Sequence, residues 1–144
     1  MTGTHLLLAF AASALVAQQR TRPAGTIAVG QTIQGTLRRG DAVSRDKSYI
    51  QRWEITAAQG EVVTIDLESE RFDAYLIVYG PGMAHDSQDD DSGGNCNARI
   101  TLRFPQRGVY YIAVTTTEKR QVGPFTLSVA SGSKPKALTR CRRH

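Results

Sequence analysis

A chain of 144 residues, 40% hydrophobic and 22% charged, has room for one domain with an adequate core and is too apolar for wholesale disorder. The net charge of +5 invites a polyanion partner, yet residues 25–130 hold eleven Lys/Arg against thirteen Asp/Glu, a net −2, so the excess sits at the two ends. No basic face interleaved with aromatics lies between them, which excludes a single-strand nucleic-acid groove.

The chain begins with an apolar run over residues 6–17, followed by Gln18 and Gln19. Its length suits the hydrophobic stretch of a signal peptide and falls short of the ~20 residues a membrane-spanning helix needs. Ala12, Ala14 and Ala17 offer small side chains to a peptidase, although the run is preceded only by the α-amino group and His5, with no Lys or Arg. The expectation is export, to the medium or the periplasm. Residues 1–17 are then a signal peptide, residues 18–30 a linker, and the mature form has no transmembrane segment.

Residues 32–37 are the first strand-like segment and lead into a turn at Arg39-Gly40-Asp41. Over residues 49–57, Trp53, Ile55 and Ala57 share one face and Arg52, Glu54 and Thr56 the other, the period-two pattern of a half-buried strand. Ala58-Gln59-Gly60 turns the chain, and residues 61–68 alternate again, with Val63, Ile65 and Leu67 on one face. Residues 73–79 are apolar on both faces and read as a central strand, ended by Gly80-Pro81-Gly82. After a polar loop at 83–98, alternation resumes with Ile100, Leu102 and Phe104. A turn at 105–108 precedes the most β-prone stretch, 109–116, and Gly123-Pro124 precedes a last strand carrying Phe125, Leu127 and Val129. Seven or eight short strands at this spacing predict an all-β, jelly-roll-like antiparallel β-sandwich over residues 31–130, followed by a basic flexible tail at 131–144.

The loop from His85 to Asn97 concentrates carboxylate and amide oxygens beside Gly93 and Gly94. Hard cations such as Ca2+ take about six to eight oxygen ligands, often from such loops. Asp89, Asp90 and Asp91, with Asp73 or Asp41 contributing, are therefore a candidate calcium site, and Ca2+ is the one cofactor suggested. The spacing is not that of an EF-hand, since the twelfth position counted from Asp89 is Ile100 where a bidentate Glu belongs. A solvated turn in which Asp and Asn side chains bond their own backbone accounts for the same residues. Catalysis lacks its parts. His85 is the one histidine away from the ends, its potential partners Ser87, Cys96 and the aspartates share one flexible loop, and no nucleophile-elbow, zinc or phosphate-loop motif occurs. The chain is read as a non-enzyme with no catalytic residue.

Tyr75 and Tyr111 are the candidate binding residues. Tyr111 falls by register opposite the face of Tyr110, Ile112 and Val114, and an exposed tyrosine on a flat sheet can dock an extended peptide or a glycan ring. Trp53 and Phe125 read as core. Cys96 and Cys141 either form a disulfide, tying the basic tail to the acidic loop with a stabilisation of about 3–4 kcal/mol, or remain two unrelated thiols.

Several motifs then stand in a familiar order: Gly35-Thr36-Leu37; Gly40-Asp41; Tyr49 ahead of Trp53 and Ile55; Gly60; and Phe72-Asp73-Ala74-Tyr75-Leu76. Asp89-Asp90-Asp91-Ser92-Gly93-Gly94, Asn97-Ala98-Arg99-Ile100, Pro105, Gly108-Val109-Tyr110-Tyr111 and Gly123-Pro124-Phe125-Thr126-Leu127 complete the series. Together they resemble the bacterial pre-peptidase C-terminal domain family over about residues 30–130. The resemblance implies a jelly-roll-like sandwich of the kind appended to secreted proteases and other exported enzymes. It implies roles in secretion, substrate attachment or maturation, and no catalytic residues. Related collagen-binding modules of clostridial collagenases bind Ca2+ through an N-terminal linker motif and use exposed tyrosines. That motif has no match here, because residues 18–30 contain no acidic side chain. Cys96 stands where the family commonly has a small polar residue, and no protease domain precedes this copy, so a stand-alone module with an unnamed client is expected.

The combined expectation is an exported, non-catalytic module that attaches to an extracellular or envelope protein or glycan, or assists a secreted enzyme, and does not bind nucleic acid. The alternative is a calcium-stabilised structural protein of the cell envelope.

Overall fold

The computed structural model describes residues 22–142, so the expected signal peptide at 1–17, the start of the expected linker and the last two residues lie outside the described residues. Ten strands run through the described chain: β1 (Gly25–Thr26), β2 (Thr32–Leu37), β3 (Ala42–Val43), β4 (Tyr49–Ala57), β5 (Val62–Glu68), β6 (Ala74–Tyr79), β7 (Ser87–Asp89), β8 (Ala98–Arg103), β9 (Gly108–Thr116) and β10 (Gly123–Ser131). The larger sheet has the order β1-β4-β9-β6-β7 with β3 added on β4, and the smaller has the order β2-β10-β5-β8. Every pairing is antiparallel apart from β1 on β4. This is an antiparallel β-sandwich, and its seven long strands coincide with the seven strand-like segments of the sequence.

Register explains the core. In the smaller sheet Leu127 lies opposite Leu67 and Val129 opposite Ile65. In the larger, Val114 lies opposite Leu76 and Ile112 opposite Val78. All eight are shielded from solvent, and withdrawing each such side chain from water contributes about 1.5–3 kcal/mol. The buried rings of Phe104 and Tyr110 meet at 4.5 Å, and the Tyr110 hydroxyl donates to the Gln106 carbonyl at 2.6 Å, which pins the 105–108 turn. Gly35 faces Phe125 across β2 and β10, and the phenyl ring fills the space a Cβ would need. No helix among the described residues is long and apolar enough to cross a membrane.

The ends and the 83–98 loop are more structured than the sequence suggests. Residues 25–30, expected within the linker, supply β1, the buried Ile27 and a 2.7 Å hydrogen bond from the Gly30 N–H to the Val129 carbonyl. A Cβ on Gly25 would stand 2.6 Å from the Trp53 ring, so a glycine is what lets this segment lie against β4. The acidic loop contains β7, paired with β6. The basic tail, expected to be flexible, runs over the outer face of the smaller sheet as a strap. The Lys134 N–H donates to Thr64 Oγ1 at 3.0 Å, Arg99 Nη1 to the Pro135 carbonyl at 2.7 Å, and the Ala137 N–H to the Ser92 carbonyl at 2.8 Å. Cys141 is disulfide-bonded to Cys96, with Cα atoms 4.4 Å apart. Beneath the strap, buried Asp66 takes Arg99 Nε at 2.6 Å and Lys134 Nζ at 3.6 Å. Part of the basic character that reads as a solvated tail is thus spent on an acidic side chain of β5.

Candidate functional site

The outer face of the larger sheet is built by alternation on three adjoining strands. β6 is not buried on both faces, as its composition suggested. Ala74, Leu76 and Val78 enter the core, while Tyr75, Ile77 and Tyr79 are only half-buried on the other side. β9 runs beside it and places Tyr111 between Tyr79 on β6 and Glu54 on β4. Tyr79 and Tyr111 stack with ring centroids 5.4 Å apart, and the Arg52 guanidinium lies 5.5 Å from the centre of the Tyr111 ring. Towards the sheet edge the Tyr75 hydroxyl donates to Gln88 Oε1 on β7. Tyr75 and Tyr111 therefore share one face, four residues apart along the strand direction, or about 13 Å.

The acidic loop borders the Tyr75 end of this face. Burial raises the Tyr75 hydroxyl above the usual tyrosine value, and the carboxylates of Asp90, Asp46 and Asp89 push it the same way. Asp90 is itself raised, first by burial and then by Asp91 and Asp89. The carboxylates of Asp89, Asp90 and Asp91 come within 4.8 Å of one another. Asp89 is already engaged. Its Oδ2 accepts the N–H groups of Ser92 and Arg99 at 2.9 Å each, and its Oδ1 accepts the Ser92 hydroxyl at 2.5 Å. Asp90 and Asp91 project into solvent.

The other acidic candidates lie elsewhere. Asp73 sits by Cys96 and Cys141, whose sulfurs are bonded to each other, rather than with the triplet. Asp41 accepts the Arg38 N–H at 2.7 Å and Gln51 Nε2 at 2.9 Å, closing the turn after β2. His85 is exposed, and the disulfide removes Cys96 as a thiol partner for it. Arg52, Ile77, Gln88 and Asp46 were not singled out from the sequence, and Tyr79 was one of the strand tyrosines without being placed on the binding face. Ile77 and Tyr79 follow from Tyr75 by period-two counting once β6 is known to lie near an edge. Arg52 depends on the register of β4 against β9, and Asp46 on a turn, neither of which the sequence displays.

The model of the bacterial pre-peptidase C-terminal domain family matches residues 49–116 of the chain. Among solved structures, the pre-peptidase C-terminal domain of a Bacillus anthracis collagenase is similar, with a TM-score of 0.55 and 17% identity over 75% of this chain and 96% of that one. PliG from Aeromonas hydrophila, a periplasmic inhibitor of g-type lysozyme, aligns with a TM-score of 0.54 and 18% identity over 75% and 96% of the two chains. PliG from Salmonella Typhimurium, likewise a periplasmic inhibitor of g-type lysozyme, gives 0.52 and 16% over 76% and 99%. At these identities the likeness to the solved structures is one of fold. No curated protein matches the sequence.

Proposed function

Because the model of the bacterial pre-peptidase C-terminal domain family matches residues 49–116, we propose that the chain is an exported, non-catalytic module that holds a polymeric partner, protein or glycan, on the outer face of its larger sheet. The observation that carries this reading is the row of half-buried aromatic side chains on one face of the larger sheet, with Tyr79 stacked on Tyr111 and Tyr75 beyond them. Tyrosines held by sheet packing present apolar area and a hydroxyl at little cost in conformational entropy. Export is supported by the apolar run at 6–17 and by a disulfide, a bond that persists in oxidising compartments. A protein partner is in keeping with the lysozyme inhibitors that share the fold.

Purified protein is incubated with envelope material of the native host, divided into protein and glycan fractions, beside a Tyr79→Ala/Tyr111→Ala variant. The reading expects one fraction to retain the native protein and to lose the variant, and equal retention of both would remove the face from consideration. Sequencing the N-terminus of protein recovered from cell fractions tests export separately, with mature protein beginning after residue 17 as the expected result.

A second reading, a calcium-stabilised envelope protein, is supported by the convergence of Asp89, Asp90 and Asp91. It expects millimolar Ca2+ to raise the melting temperature relative to chelator, because a ligand that binds only the folded state must stabilise it. Superimposable melts would eliminate it.

A further inference from the structure

The tyrosine face has two unlike ends. At one end a cation already rests on an aromatic ring, Arg52 over Tyr111, and the guanidinium is supplied by the chain itself. At the other end the Tyr75 hydroxyl donates to Gln88 on β7, directly ahead of the clustered carboxylates of Asp89, Asp90 and Asp91, and burial, then Asp90, Asp46 and Asp89, all raise its pKa. Among the described residues no Lys or Arg pairs with any of Asp46, Asp89, Asp90 or Asp91, whereas Asp66 on the opposite sheet takes two cations. Aromatic faces and carboxylates brought together in this way are the two components that hold an ammonium or guanidinium group, one through the ring quadrupole and the other through charge.

We propose that this face docks a cationic polypeptide segment, one of whose Lys or Arg side chains stacks on Tyr75 while its charge is met by Asp90 and the neighbouring carboxylates, and whose chain runs on over Tyr79. The proposal rests on the reading of the face as the docking surface and adds the sign of the partner. An anionic polymer is repelled by the Asp-rich rim, and a neutral glycan gains the rings but nothing from the acids. Arg52 takes a defined part as an internal competitor, because it occupies the Tyr111 ring that an incoming cation would also use and adds a like charge beside it.

The test is fluorescence anisotropy on the full chain with three labelled probes: a Gly-spaced oligolysine peptide, its oligoglutamate counterpart and a neutral N-acetylglucosamine oligomer. The lysine peptide is expected to bind and the glutamate peptide not to. Affinity should fall about tenfold as salt rises through the range where screening contracts to about 10 Å. Asp90→Asn/Asp91→Asn should weaken the lysine peptide about fivefold, and Tyr79→Ala by a similar factor, whereas Glu68→Gln/Glu70→Gln outside this face should change nothing. Arg52→Ala should tighten binding, an effect that loss of structure does not produce. The proposal is overturned if the lysine peptide does not bind, or if the Asp90/Asp91 and Glu68/Glu70 pairs weaken it alike. Binding of the neutral glycan that depends on Tyr79 but not on Asp90 and Asp91 also overturns it, while leaving the face itself as the docking surface. If no probe depends on Tyr79 and the envelope fractions ignore Tyr79→Ala/Tyr111→Ala, the underlying reading fails as well.

Discussion

The two outer faces of the sandwich differ in what covers them. The smaller sheet is crossed by its own C-terminal segment, and its buried acid, Asp66, is satisfied by Arg99 and Lys134 under that strap. Among the described residues the larger sheet has no such cover, and its half-buried tyrosines lie beside carboxylates that no described Lys or Arg pairs with. Both faces are built from strands of equal quality on a common core. What separates them, among the described residues, is the strap that crosses one and not the other. The strapped face is tied down by hydrogen bonds and a disulfide, and the other is the face on which the proposed docking rests.

The contrast is broken most severely by Cys96→Ser/Cys141→Ser. Releasing a crosslink between residues 45 apart should cost about 4 kcal/mol, seen as a lower denaturation midpoint. Hydrogen exchange should accelerate in residues 132–142 while the β6–β9 ladder stays protected, and acceleration of both together would deny the strap a local role. Leu76→Ala comes next. It opens a cavity directly beneath the tyrosine face and should cost about 3 kcal/mol, with loss of near-ultraviolet dichroism from the tyrosines. Tyr111→Ala removes the stack on Tyr79 and the seat of Arg52, yet it lies outside the core, so a loss of only about 1 kcal/mol is expected in chemical denaturation. A much larger loss would make Tyr111 a structural residue.

The smallest effect is Asp90→Asn. The native Asp90 carboxyl is raised above its unfolded value, so its protonated form favours the fold. Its contribution is present below the unfolded carboxylate range and lost as pH rises through the folded value. At neutral pH the variant should therefore melt slightly higher than the wild type, with the gap closing as pH falls from about 7 towards 4. A gap that widened on acidification would contradict the repulsion among Asp89, Asp90 and Asp91.

The long strands were legible because each carries enough residues for period two to declare itself, as Val63, Ile65 and Leu67 do on β5. β1, β3 and β7 were not, since two or three residues show no period and the parallel pairing of Gly25 with Trp53 exists only once β4 is in place. β6 misled through its composition. An outward row of Tyr75, Ile77 and Tyr79 looks the same in sequence whether a second layer or a partner is to cover it, and only its position beside the three-residue β7 distinguishes the two. The strap was hidden for a related reason. Lys134 reads as solvated until Asp66 is found beneath it.

The link between Cys96 and Cys141 also decides how the molecule bears tension. A pull entering the chain beyond residue 141 is carried straight across the sulfurs to residue 96, ahead of β8, and strands β8, β9 and β10 drop out of the load path. Those three strands belong to both layers, so each sheet keeps part of its pairing out of reach of a pull from that side. The tension passes instead into the residues ahead of 96, where the edge strand β7 is held to β6 over only three residues, and that short ladder becomes the point that yields first from this side.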